Sequence, residues 1–73
     1  MATLTGVLRI ADNESRVNGT LLALCGEPGN SFSAATGLLG NKHLRDGDDV
    51  TVTGTPGRVG QVNVFCVQDA SGS

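Results

Sequence analysis

The sequence predicts an all-β domain: five short antiparallel strands closed into a small barrel. Three observations predict it. Residues 44–68 carry alternating β-branched runs, with Val50 and Val52 on one side and Thr51 and Thr53 on the other, and a period of two is how a strand buries one face. Turn signals recur along the chain, at Asn18-Gly19, Pro28-Gly29 and Pro56-Gly57, where Gly, Pro and Asn supply turn geometry. Only residues 36–45 have any helical character, and they separate the first three apolar runs from the last two.

The first strand is expected over residues 3–11. Leu4, Leu8 and Ile10 share one face, and Thr3, Thr5, Val7 and Arg9 the other. Gly6 inside it implies a bulge or a close backbone approach. The polar residues 12–16 read as a loop. Asn18-Gly19 is the strongest short hairpin signal, and either joins a short strand to the next run or ends that loop. Residues 20–25 are apolar on both faces, so this second strand should be central and covered twice. A Pro-Gly turn over 26–30 leads to a short third strand at 31–35, with Phe32 and Ala34 on one face.

In the connector, Thr36 is placed to cap a short helix. Gly37 and Gly40 would each cost about 1 kcal/mol in a helix interior, so one helical turn or an ordered loop is expected. The fourth strand begins at Asp49. Thr55-Pro56-Gly57-Arg58 has Pro second and Gly third, as a type II turn requires, and leads into the fifth strand. The domain is expected to span 1–69, with 70–73 a frayed polar tail.

At 73 residues this is one domain, and a chain of that size buries only ~60–65% of its unfolded surface. Phe32 and Phe65 are its only aromatic residues, so Leu and Val must build the core. Such a domain often needs a staple or a partner subunit, which motivates self-association. The net charge is −2, from five basic and seven acidic residues of interspersed sign. A nucleic-acid binder normally concentrates basic charge on one face. No apolar run approaches the roughly 18 residues of a membrane span. The N-terminus lacks a basic region before an apolar block, so with Met1 as the native start the expected location is cytoplasmic. Cys25 and Cys66 are expected as buried free thiols, since one pair is not a disulfide framework. A disulfide between them is the sharper alternative, and would stabilise by ~2–4 kcal/mol.

Gly47-Asp48-Asp49-Val50-Thr51-Val52-Thr53-Gly54 resembles the G-D-x-V-x-V-x-G entry into the fourth strand of small bacterial oligonucleotide/oligosaccharide-binding (OB) proteins. Thr5-Gly6-Val7 and Asn18-Gly19-Thr20 fit the same pattern. The resemblance implies an OB-like barrel, with a short helical turn or loop between strands three and four; an SH3-like barrel, which uses similar turns, is the alternative. The layout is more distantly similar to a molybdate-binding Mop-type domain, through Phe32-Ser33-Ala34-Ala35-Thr36 and Leu44-Arg45-Asp46-Gly47-Asp48, and carries no ligand over. An OB barrel binds on strands two and three and the adjoining loops. That places Asn13, Arg16, Phe32 and Arg58 around one surface, with Lys42 near. Arg16 and Arg58 would meet phosphates and Phe32 would stack on a base. The simpler reading is preferred: the core needs Phe32, and the arginines are solvated.

Chemistry has few footholds. His43, Cys25 and Cys66 lack the spacing of a zinc site, so no metal is expected. A thiol–His43 dyad needs a partly exposed, electropositive cysteine, and both cysteines read as buried. Asp46, Asp48 and Asp49 beside Gly47 make the turn into strand four and are too few for a calcium loop. No phosphate-binding glycine loop occurs, and the sequons at Asn13 and Asn18 read as chance. The expectation is a non-enzymatic, cofactor-free binding or accessory module for a protein partner or a second copy of itself. Weak single-stranded nucleic-acid binding is the alternative, followed by a small Cys/His-dependent enzyme or redox protein.

Overall fold

The computed structural model describes residues 1–26 and 31–72, with only the backbone given for Ser31. The chain forms β1 (Ala2–Ala11), β2 (Glu14–Val17), β3 (Thr20–Ala23), α1 (Ser31–Asn41), β4 (Asp49–Val59) and β5 (Val62–Gly72). The strands close in the order β1-β2-β3-β5-β4. The protein is thus a small all-β, OB-like barrel with a helix between its third and fourth strands. One seam departs from the antiparallel expectation, because β3 and β5 run parallel, with Leu21, Leu22 and Ala23 opposite Val64, Phe65 and Cys66.

Alternation sorts the strand residues as expected. Leu8, Leu22, Val50 and Val52 are fully buried inside the barrel, with Phe65 and Val67 beside them. Thr51 and Thr53 take the opposite face of β4. Across the seam from β4, Thr5 lies opposite Thr51 and Thr3 opposite Thr53. β3 is covered twice: Leu22 joins the interior, while Leu21 and Ala23 form a second cluster with Val64 on the outer face. Gly6 makes the close approach its position implied. A Cβ there would lie 3.2 Å from Asn18 Cβ and 3.3 Å from Val17 Cγ1.

Several expected boundaries move, each for a local reason. Residues 14–17 are strand rather than loop. Asp12 and Asn13 both take positive φ, 53° and 62°, which builds a two-residue hairpin turn of the kind Asn and Asp tolerate. Ala11 then faces Glu14, and Ser15 and Val17 point inward. Asn18 (φ 52°) and Gly19 (φ 80°) make the next hairpin turn, so this signal joins β2 to β3. The strand expected over 20–25 ends at Ala23. Glu27 through Asn30, and with them most of the expected Pro-Gly turn, lie outside the described residues.

Residues 31–35 are the first turns of α1 rather than a strand. Ala35 and Leu39 are fully buried, four residues apart on one helix face, with Leu38 packed beside them. That burial outweighs the propensity penalty at Gly37 and Gly40. Thr36 therefore sits inside the helix and does not cap it. At the other end, Leu44 N–H donates to the Leu39 carbonyl and His43 N–H to the Gly40 carbonyl, both at 3.0 Å. His43 takes φ 62°, completing a Schellman stop.

The expected turn at 55–58 is strand. The β4–β5 turn falls at Gly60 (φ 63°) and Gln61, with Val59 opposite Val62. Beyond Gly54, which faces Ala2, β4 has β5 on one side only, so Pro56 occupies an edge, where a missing N–H is tolerated. At the far end β5 continues through Gly72, and Ala70, expected in a frayed tail, is buried opposite Val52. Ser73 lies outside the described residues.

Candidate binding face

One row of paired residues crosses the outer surface of the sheet. Arg9 on β1 faces Arg16 on β2, Arg16 faces Leu21 on β3, Leu21 faces Val64 on β5, and Val64 faces Gly57 on β4. The row is charged and exposed at its β1–β2 end and apolar and buried at its β3–β5 end. Phe32, in the first turn of α1, packs against the apolar end with Val59 and Cys66.

The helix is held to the inward side of β2 by a polar contact. Ser15 is fully buried, and its Oγ lies 3.0 Å from Thr36 Oγ1. The Thr36 hydroxyl also reaches the Asn13 carbonyl at 3.0 Å and the Phe32 carbonyl at 3.2 Å. With Ser15 donating, the Thr36 proton is left for those two carbonyls. The contact holds the β1–β2 turn, β2 and the helix in fixed relation.

Of the sequence-predicted site residues, Asn13 and Phe32 are joined through Thr36, whose hydroxyl reaches both their carbonyls. Arg16 lies on the outer face, opposite Leu21 of the cluster against which Phe32 packs. Arg58 does not join them. Gly57 lies on the Arg16 side of the sheet and Arg58, opposite Asn63, on the other. Lys42 is engaged elsewhere, 2.8 Å from Asp69 Oδ1. That contact, foremost as a hydrogen bond, and the Ala70 N–H hold the Asp69 carboxyl below its ordinary range. Arg9 is the candidate residue that sequence reasoning missed. Its signal was its outer-face position on β1, which gains meaning only once residues 14–17 are read as the neighbouring strand.

Arg16 has one weak ion pair, 3.8 Å from Glu14, with both side chains substantially exposed. Arg9 has no ion-pair partner among the described residues. The acidic turn serves the fold: Asp46 Oδ1 accepts the Ile10 N–H at 2.8 Å and Asp48 Oδ2 the Arg45 N–H at 2.9 Å. The loop is laid along β1 by Leu8, whose N–H donates to the Asp48 carbonyl at 2.8 Å and whose carbonyl accepts from Gly47 at 2.7 Å.

The cysteines correct the sequence reading. Cys25 and Cys66 form a disulfide, with Cα atoms 5.3 Å apart. Cys25 lies in the exposed turn after β3, and Cys66 is half-buried on the outer face of β5. The parallel β3–β5 seam brings them together, since Ala23 faces Cys66. Bonded sulfurs are neither nucleophiles nor zinc ligands, which removes the thiol from the Cys–His43 dyad. Among the described residues no group of His, Cys, Asp or Glu could hold a metal ion, and no cavity opens. Comparison with protein-family models, curated proteins and solved structures finds no match to the chain.

Proposed function

We propose that the protein is a non-enzymatic binding module, an OB-fold barrel that takes an acidic segment of a protein partner on the outer face of β1 and β2. The observation that supports it is the Arg9–Arg16 pair, two exposed guanidinium groups directly opposite one another. Like charges so placed destabilise a sheet, and Glu14 reaches only Arg16. A carboxylate-bearing segment laid across the two strands would relieve the repulsion through bidentate hydrogen bonds.

A protein segment fits better than a nucleic acid. Phe32 is committed to the outer cluster, and Arg58 lies on the other face. The disulfide supports placing the protein in a compartment where such bonds persist, rather than in the cytoplasm.

Fluorescence anisotropy with a labelled hexaglutamate peptide and a labelled mixed-sequence single-stranded DNA tests this. The peptide is expected to bind at low salt, to weaken as salt rises, and to bind the Arg9→Gln/Arg16→Gln variant at least tenfold less tightly. Tighter DNA binding would replace the reading with single-strand recognition. No difference between wild type and variant would overturn the face itself.

A further inference from the structure

We infer that the Cys25–Cys66 disulfide is a site of reversible thiol–disulfide exchange with a dithiol reductant, and that it latches the parallel β3–β5 seam. Three observations carry this. Cys25 lies in an exposed turn at the end of β3, so one sulfur can be approached without unfolding the barrel. The seam that the bond closes has three residue pairs, whereas β4 and β5 share ten. Cys66 packs against the outer cluster of Leu21, Ala23 and Val64, outside the larger cluster in the barrel interior. Breaking the bond therefore loosens the outer cluster, while the interior residues away from the seam, Leu8 on β1 and Val50 and Val52 on β4, stay packed.

Gly57 marks the bond as accommodated by the fold. A Cβ at Gly57 would lie 2.5 Å from Cys66 Sγ and 3.8 Å from Cys25 Sγ, so the strand above the disulfide leaves room by having no side chain there. Nothing else in the backbone demands glycine at this position, because Gly57 is not among the residues with positive φ.

The chemistry balances with the dithiol as the only co-reactant. A thiolate of the dithiol attacks Cys25 Sγ, the Sγ–Sγ bond breaks, and Cys66 leaves as a thiolate that takes a proton from water. The second thiol of the reductant then attacks its own sulfur in the mixed disulfide and expels Cys25. Two electrons pass from the dithiol, which becomes a disulfide, to the protein, which becomes two thiols. The reverse sequence re-forms the latch.

The test is the rate of reduction of the wild-type protein by dithiothreitol in native buffer, followed by hydrogen exchange on the reduced product. If the native state reacts, the rate rises in proportion to thiolate concentration and is unchanged by low urea. Exchange protection is then lost around Leu21 and Ala23 of β3 and Val64 and Cys66 of β5, and retained at Leu8, Val50 and Val52. The Cys25→Ser/Cys66→Ser variant supplies the same reduced state independently and should show the same protection pattern. A rate that saturates with thiol and climbs with urea would show that reduction needs global unfolding and would overturn the proposal. Loss of protection throughout the barrel in the reduced protein would overturn it equally.

Discussion

Replacing both cysteines with serine removes a covalent link spanning 41 residues of chain. In the chain-entropy picture, closing a loop of that size lowers the entropy of the unfolded chain by roughly 13 cal/mol/K, or about 4 kcal/mol at room temperature. Any loosening of the outer cluster, against which Cys66 packs, adds to this loss. A change of this size is a large share of the 5–15 kcal/mol typical of small domains. For a domain of this size it corresponds to a fall in melting temperature of roughly 15–30 °C. Urea denaturation of the oxidised wild type and of the double variant measures it. The variant should lose about 4 kcal/mol, and its denaturant slope should rise, because the unlinked chain exposes more surface on unfolding. A loss below about 1 kcal/mol with an unchanged slope would refute the reasoning.

Three further perturbations test separate parts of the structure. Thr36→Val keeps the shape of the side chain but leaves the buried Ser15 hydroxyl without its partner, and should cost about 1–3 kcal/mol in thermal or urea unfolding. His43→Gly relieves a left-handed residue at the stop of α1 and should stabilise by about 1 kcal/mol by the same measurement. Lys42→Met removes the main influence holding the Asp69 carboxyl low, so its titration midpoint, followed by NMR, should move up toward the ordinary carboxylate value. The sign for stability follows. A depressed carboxyl contributes above its unfolded pKa, and the contribution fades as pH falls through the folded one. The wild-type advantage over the variant should therefore shrink in acid.

What the sequence made legible was whatever depends on neighbours along the chain. The Val50/Val52 alternation, the doubly apolar run at Leu21–Leu22–Ala23 and the Asn18-Gly19 turn all read correctly, because each is a local pattern with a single physical use. Two polar residues hid a hairpin: Asp12 and Asn13 look like loop, and their left-handed geometry is visible only once Glu14 is found opposite Ala11. The helix was masked by Gly37 and Gly40, whose weak propensity conceals the buried pair Ala35 and Leu39. Pro56-Gly57 was misleading because Pro is also tolerated on an edge and Gly also makes room for a neighbour, here the sulfur of Cys66.

The candidate site was half legible for the same reason. Asn13, Arg16 and Phe32 follow from the layout of an OB-like barrel; the structure joins Asn13 and Phe32 through Thr36 and puts Arg16 on the outer face of β2. Arg58 was misplaced by the shifted turn, which puts it in a strand and on the other face. The disulfide depends on the parallel β3–β5 seam, a long-range pairing that neither cysteine's local sequence reveals. Arg9 became visible only when β2 was found beside β1.

The proposed partner site is the β1–β2 face centred on Arg9 and Arg16. Its most direct test is an amide-resolved NMR titration with hexaglutamate and with mixed-sequence single-stranded DNA at low salt. The account predicts peptide-dependent shifts at Arg9, Arg16 and their strand neighbours that fade with added salt. Shifts confined to Arg58 and the β4–β5 turn, or an unchanged spectrum at high peptide excess, would contradict it.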